Sequence, residues 1–296
     1  MKLIKPSFEI WEQPSGLEGV YKQIEGAGRV CYKSEDKIAE GTAKAFVDRM
    51  IASGHGAMLE HGTVYLKCKT EVINRYIHPE DGEEEDFNKL EKYEYNSYSV
   101  TNDDGIYLYV TTNLRVLVEN DWLDDLQYIC EPTEFHEKRI TVHFVCDRGV
   151  SHEFVRHRVM SFAQESTRYC NYSKDKFGNE LTFIQPCWLD DERLKLYRPY
   201  HTVIRDKSLE SIFIASLNNA EKDYIDLIDL GWKPQEARAV LPNSLKTELV
   251  VTGFVSDWNH FFDLRARGTT GAPHPQAKEL AEPLMKEFIA RKYINN

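Results

Sequence analysis

The chain has 296 residues, 42% of them hydrophobic, so it can bury a core and disorder is not expected. Its 37 basic and 48 acidic residues give a charge of −11, which argues against a nucleic-acid-binding surface over the whole molecule but not against a local cationic pocket. It has no apolar run near the ~20 residues of a spanning helix, no apolar N-terminal signal and no C-x-x-C pair. We therefore expect a soluble, cytoplasmic protein with reduced cysteines.

Hydrophobic periodicity predicts most of the elements. It indicates helices at 17–31 and 38–53, a strand at 63–69, a strand at 141–146 and a short helix at 150–156. Later helices are predicted at 206–229, 235–240, 256–266 and 276–292. Strands mixed with helices, without regular βαβ alternation, indicate an α+β fold.

Residues 79–105 differ from their surroundings. They begin with an acidic, turn-rich run and continue into a Tyr-rich stretch. A charge run is usually a solvated face. We interpret the segment as an insertion or surface excursion within one domain that spans 1–296.

The richest chemistry lies between residues 152 and 173. Within the thirteen residues 156–168 are three arginines, a histidine and several amide or hydroxyl groups. Arginine offers a rigid fork of donors that fits phosphate and carboxylate oxygens. This density predicts an anion site, suited to a phosphorylated ligand. The alternative is a set of surface arginines paired with nearby acids.

Other chemistries fail on spacing or context. His152 and His157 are five residues apart, whereas the zinc protease motif has its histidines four apart, so no metal site is predicted. Cys187 has no adjacent base, which favours an ordinary buried cysteine over a nucleophile. Arg139 and Arg148 are interpreted as surface charges.

The stretch from Arg156 to Arg168 resembles the R-H-R-x-x-S-x(4)-S-x-R signature of flavin-dependent thymidylate synthases. Four further segments resemble other sequence elements of that family, namely residues 54–61, 237–242, 258–265 and 274–276. The resemblance extends, with gaps, from about residue 17 to the C-terminus, and 79–105 has no clear counterpart. Ala57, Ala163 and Ser256 depart from the residues that are common in the family at these positions, so individual flavin contacts are expected to differ from the family's.

The resemblance implies an α+β fold in which a mixed, largely antiparallel sheet packs with helices in a single domain. It implies an FAD-dependent methyltransferase that converts dUMP to dTMP. Methylenetetrahydrofolate would supply the carbon, reduced FAD the hydride, and NADPH would reduce the flavin. It also implies a homotetramer with shared active sites, and no nucleic-acid or membrane partner.

The resemblance also assigns roles to individual residues. The residues implied to bind substrate are Glu153, Arg156, Gln164, Glu165, Ser166, Thr167, Arg168, Arg238 and Arg265. Those implied to bind the cofactor are Arg156, His157, Arg158, Gln164 and His260. Arg265 is implied to be catalytic, because a fixed cation at the uracil edge stabilises charge that develops on the ring. The alternative is that Arg265 only pairs with Asp263 or another acid.

Two other functions stay open. The departures at Ala57, Ala163 and Ser256 would suit a non-catalytic flavin- or nucleotide-binding relative. A classical thymidylate synthase would use Cys187, but the R-H-R signature and the missing partners of that cysteine argue against it. A flavin absorption band in the purified protein would discriminate best among these functions.

Overall fold

The structure is a computed structural model that describes residues 1–70, 73–77, 84–174, 178–189, 192 and 208–295. Its strands are β1 (Lys2–Ile4), β2 (Ser7–Trp11), β3 (Thr63–Lys69), β4 (Ile73–Ile77), β5 (Glu84–Asn88), β6 (Val100–Asp103), β7 (Tyr107–Asn113), β8 (Arg139–Asp147), β9 (Ser161–Gln164), β10 (Thr182–Ile184) and β11 (Lys246–Phe254). Its α-helices are α1 (Gly16–Tyr32), α2 (Thr42–Ala52), α3 (Gly56–Leu59), α4 (Leu114–Glu119), α5 (Arg148–Phe154), α6 (Leu209–Asp229), α7 (Pro234–Ala237), α8 (Val255–Phe262) and α9 (Pro275–Ala290). Short 3-10 turns lie at Glu35–Lys37, Glu91–Tyr95, Leu123–Tyr128 and Arg238–Val240.

The central sheet has the strand order β2-β8-β11-β9, and all its pairs are antiparallel. Along β11, Val250 lies in one core while Leu249 and Val251 lie in another, because successive side chains of a strand point to opposite faces. Smaller sheets have the orders β3-β7-β6 and β4-β5, both antiparallel, and β1-β10, which is parallel. The predicted α+β fold with a largely antiparallel sheet is confirmed.

An aromatic core fixes α5 and α8 against the central sheet. Trp258, Phe261 and Phe262 of α8 are almost fully buried and pack with Phe144 and Phe154. The indole N–H of Trp258 donates to the Ile140 carbonyl at 3.1 Å. Because α5 leads into the R-H-R segment and α8 leads to Arg265, this packing brings those two segments together.

A hydrogen-bonded cap sets the start of α5. Asp147 is the N-cap, and its Oδ1 accepts the Val150 N–H at 2.7 Å. Gln276, from the third of the C-terminal family elements, donates to the other oxygen at 2.7 Å. Burial raises the pKa of the Asp147 carboxyl. The family element at residues 274–276 therefore fixes the orientation of α5, the helix that precedes Arg156.

Several predicted boundaries differ from the structure. The helix predicted at 38–53 begins at Thr42, whose hydroxyl bonds with the backbone of Ala39. The helix predicted at 256–266 ends at Phe262 and continues as a π-helical turn, Asp263–Arg267. Residues 206 and 207, and residues 79–83 of the acidic segment, lie outside the described residues.

The described part of the segment 79–105 contains β5, the 3-10 turn Glu91–Tyr95 and β6. Tyr93 is buried and donates to Asp125 Oδ2 at 3.1 Å, whereas Tyr95 and Tyr98 are exposed. Within the described ranges, no helix combines the length and apolar character that crossing a bilayer requires.

Candidate active site

Arg265 is the centre of a hydrogen-bonded group built from two segments. Its Nη1 donates to Glu153 Oε2 at 2.6 Å, its Nη2 donates to the Glu153 carbonyl at 2.8 Å, and its Nε donates to His157 Nε2 at 3.2 Å. Arg265 does not pair with Asp263, which pairs with Arg267, but it does pair with another acid, Glu153, as the alternative interpretation allowed. Glu153, His157 and Arg265, all predicted site residues, therefore meet in space.

Burial and neighbouring cations shift the pKa values of His157 and Arg265. Burial, followed by the charges of Arg265 and His260, lowers the pKa of His157 to about 4. His157 is thus neutral near pH 7, and its Nε2 can accept the hydrogen bond from Arg265. Burial also lowers the pKa of Arg265, with a further contribution from the nearby charge of Arg156. The ring of His260 lies 5.8 Å from that of His157, between centroids.

A second group joins two family elements that are about seventy residues apart in the chain. Arg238 Nη1 donates to Thr167 Oγ1 at 3.3 Å, and Arg168 Nε donates to Gln235 Oε1 at 3.2 Å. The Ser166 hydroxyl accepts the backbone N–H of Arg168 at 3.3 Å. Arg168 and Arg238 are both exposed. Two cations and two hydroxyls at one surface form an arrangement that can bind a phosphate.

Gln164 and Glu165 differ in where their side chains lie. Gln164 Nε2 donates to Ser151 Oγ at 2.8 Å and is half-buried beside α5. The carboxylate of Glu165 lies in the interior, where it accepts from Lys246 at 2.9 Å and from the Tyr172 hydroxyl at 2.9 Å. With 2% of the residue exposed, Glu165 supports the loop rather than facing a ligand, in contrast to its predicted role in substrate binding.

Arg158 faces a pocket of about 420 Å³, whereas Arg156 is exposed beside Arg265. Glu60, from the family element at residues 54–61, and Ser256, just before the element at 258–265, also line this pocket. Arg139 lies at the same pocket and is buried, so its interpretation as a surface charge is wrong. It begins β8 outside any motif, and the only available signal was a cation next to a strongly apolar strand.

The residues around this pocket fit a flavin dinucleotide. The pocket lies within the ~300–1,000 Å³ range of small-molecule sites. The Nε of Arg139 is buried and has no hydrogen-bond partner among the described residues. Arginine donors suit the diphosphate of such a ligand. Arg139 and Arg158 would therefore hold its anionic part.

Cys187 is exposed, so the expectation of a buried cysteine is wrong. Partial burial nevertheless raises the pKa of its thiol, and the nearby charge of Glu279 acts in the same direction. A raised pKa disfavours the thiolate, which is the nucleophilic form. The structure thus gives no support to a nucleophilic role for Cys187.

Comparisons with known proteins find a matching family model and related sequences. A family model described as "Thymidylate synthase complementing protein" matches residues 121–291. The flavin-dependent thymidylate synthase of Pyrococcus furiosus is 32% identical over 149 residues, which are 50% of this chain and 53% of that protein. The one from Corynebacterium glutamicum is 28% identical over 274 residues, covering 86% of this chain and 71% of that protein.

The alignments differ in extent. Against the first relatives, all from Pyrococcus or Geobacter, the match spans 53%, 54%, 43% and 53% of their length, which is about half. Among solved structures, the UMP/dUMP methylase PolB from Streptomyces cacaoi bound with 5-Br dUMP has a TM-score of 0.44 and 17% identity. That comparison covers 98% of this chain and 93% of PolB.

Proposed function

The chain belongs to the thymidylate synthase complementing protein family, and from that premise we propose that it is a flavin-dependent thymidylate synthase, a methyltransferase that converts dUMP to dTMP. Methylenetetrahydrofolate is the carbon donor and NADPH the reductant in this proposal. The observation that carries it is the meeting of Glu153, His157 and Arg265, because these residues come from two separate family elements.

Arg265 is suited to polarise the uracil ring. Three of its five N–H donors are engaged by Glu153 and His157, which fixes the plane of the guanidinium. The remaining two, one on each terminal nitrogen, have no hydrogen-bond partner among the described residues. Such free donors can bind acceptors of a pyrimidine edge and stabilise negative charge that develops there. Bound reduced FAD supplies the hydride chemistry.

The second group is suited to hold the nucleotide. Arg168 and Arg238 are exposed cations beside the Ser166 and Thr167 hydroxyls, and the substrate carries a 5′-phosphate dianion. Ser166 in this arrangement positions the ligand and is not an obligatory covalent nucleophile, because no histidine base contacts its hydroxyl among the described residues.

A flavin spectrum and a product assay test the proposal together. Purified protein supplied with FAD is expected to show a flavin absorption band that dUMP perturbs. It is expected to form dTMP when methylenetetrahydrofolate and NADPH are added. Binding of FAD and dUMP without dTMP would favour the non-catalytic relative. A protein that takes up no FAD would contradict the flavin-dependent function.

A further inference from the structure

The floor of the Arg158 pocket contains a buried cation that no family motif includes. Arg139 Nη2 donates to Ser161 Oγ at 3.4 Å, and its Cζ lies 5.5 Å from the centre of the Phe254 ring. Ser161 and Phe254 both line the pocket, as does Arg139 itself. The guanidinium head is therefore at the pocket, and 9% of the residue is exposed.

The partners of Arg139 are all neutral. Its Nη1 donates to the Glu60 carbonyl at 2.9 Å and, more weakly, to Thr63 Oγ1 at 3.4 Å. Its Nε has no hydrogen-bond partner among the described residues. None of the carboxylates of the described residues lies within ion-pair distance of the guanidinium. The charges of Glu60 and Asp257 act on Arg139 only from beyond contact distance, and a buried charge without a contacting counter-charge is costly, so an anion at this point would be favoured.

The acidic side chains around the pocket are engaged elsewhere. Glu60 and Glu119 both accept hydrogen bonds from Arg115. Asp257 accepts the backbone N–H of Phe254 at 3.1 Å. Within the described ranges, Arg139 at the floor and the exposed Arg158 at the rim are thus the pocket's cations without a contacting carboxylate.

We propose that Arg139 binds the diphosphate of the flavin dinucleotide from the floor of this pocket, with Arg158 at its rim. This inference rests on the proposed function, since that function requires FAD. It adds to the cofactor site a residue that lies outside the R-H-R signature and outside the family element at residues 258–265. The segment Ser97–Val100 lines the same pocket, so the Tyr-rich insertion contributes a wall of that site.

The test measures FAD binding and stability in Arg139→Met, with Arg49→Met on the exposed face of α2 as the control. In Arg139→Met, the Kd for FAD is expected to rise by about tenfold or more, because a charge-assisted contact is lost. The unfolding midpoint of the flavin-free protein is expected to stay the same or rise, because an unpaired buried charge is removed. Arg49→Met is expected to change neither quantity.

The outcomes separate this inference from the proposed function. A Kd for FAD within twofold of wild type, or a flavin-free Arg139→Met that no longer folds, would show that Arg139 is structural. If wild type takes up no FAD, the proposed function fails, and inorganic pyrophosphate then tests Arg139 directly. Pyrophosphate should raise the unfolding midpoint of wild type more than that of Arg139→Met, and equal effects on the two would overturn the inference.

Discussion

Arg265 shows how a single side chain can be fixed by the site that it serves. Its hydrogen bonds to Glu153 and His157 hold the guanidinium in one plane before any ligand binds. Removing one preorganised donor group commonly lowers the rate by about 10²–10³. Arg265→Ala is therefore expected to lose dTMP formation by that factor while still binding FAD, as measured by single-turnover oxidation of reduced flavin.

Two companion variants make this prediction specific. Arg265→Lys is expected to recover only part of the rate, because an ammonium cannot make the planar two-point contact. Arg267→Ala removes a neighbouring arginine that pairs with Asp263 at the surface, and it should leave the rate nearly unchanged. A near-normal rate in Arg265→Ala would show that this arginine is structural.

His157 gives the folded protein a predictable response to acid. An unfolded histidine binds a proton near pH 6.5, but folded His157 does so only near pH 4, chiefly because it is buried. Between these values the unfolded chain holds the extra proton, so the free energy of unfolding rises with pH. This part of the stability is complete above about pH 6.5 and is lost as the pH falls toward 4.

The measurement compares wild type with His157→Gln, in which the amide can still accept a hydrogen bond. Urea unfolding between about pH 4 and 7 should show a shallower pH dependence in the variant. Burial also lowers the pKa of His61, to about 3, but that residue is present in both proteins. Parallel pH profiles would show that His157 does not titrate differently on folding.

Residues that belong to a family motif could be predicted from the sequence more readily than residues outside any motif. The R-H-R residues, the S-T-R residues Ser166 to Arg168, Arg238 and Arg265 belong to family elements, and the structure brings His157 to Arg265 and Thr167 to Arg238, with Arg158 at the pocket. Arg139 could not, because a lone arginine is usually solvated and only the fold shows that it is buried. Glu165 lies next to motif residues in sequence, but the strand end turns its carboxylate toward Lys246.

At the scale of elements, two of the four glycines in α1 differ in whether the structure leaves room for a side chain. A Cβ at Gly19 would lie 1.6 Å from the Pro14 carbonyl oxygen, whereas the nearest atom to one at Gly26 would be a ring carbon of Trp11 at 3.4 Å. Gly19→Ala is expected to cost about 3 kcal/mol or more through overpacking. Gly26→Ala is expected to gain about 0.5–1 kcal/mol from helix propensity. Urea unfolding of both variants checks this, and equal effects would contradict the close approach at Gly19.

A buried charge network ties three elements together behind the S-T-R loop. Lys246 of β11 contacts Glu165, after β9, and Glu248, which also pairs with Lys33 at the end of α1. Although burial opposes it, hydrogen bonding from His143 and the charges of Lys246 and Lys33 keep the pKa of Glu248 well below its usual range. The network thereby anchors the loop that presents Ser166.

Breaking this network should cost more than breaking a surface pair. Lys246→Met leaves the buried carboxylate of Glu165 without its cation, whereas Glu248 keeps Lys33, and the change is expected to destabilise the protein by about 3–5 kcal/mol. Lys44→Met removes the exposed partner of Asp48 and should leave the free energy of unfolding nearly unchanged. Chemical unfolding of the two variants decides whether the network is stabilising.

The limits of sequence-based prediction for elements have physical causes. The strand predicted at 63–69 is confirmed, because its alternating pattern places one face in a core. The prediction of one helix over 256–266 did not include the π-helical turn Asp263–Arg267. The spacing of apolar residues does not distinguish α-helical from π-helical hydrogen bonding. Pairing of β2 with β8 and of β9 with β11 depends on contacts between distant segments, which local patterns do not contain.

At the scale of the whole molecule, the two functional groups are held separately within one chain. Arg265 is fixed by Glu153 and His157, whereas Arg168 and Arg238 are fixed by Gln235 and Thr167. If the protein is a homotetramer with shared sites, one protomer could supply the first group and its neighbour the second. Light scattering of the purified protein is then expected to report a tetramer.

Mixing two inactive variants tests this arrangement by activity. Arg168→Ala and Arg265→Ala, each inactive alone, are co-refolded in equal amounts so that protomers assemble at random. If each site takes one group from each of two protomers, about a quarter of the sites contain both arginines, and dTMP formation should return to about that fraction of wild type. If both groups of a site come from the same chain, no site is complete and activity stays at the level of the single variants. An active monomer, or a mixture without recovery, would contradict shared sites, because only exchange between subunits can reunite the two arginines.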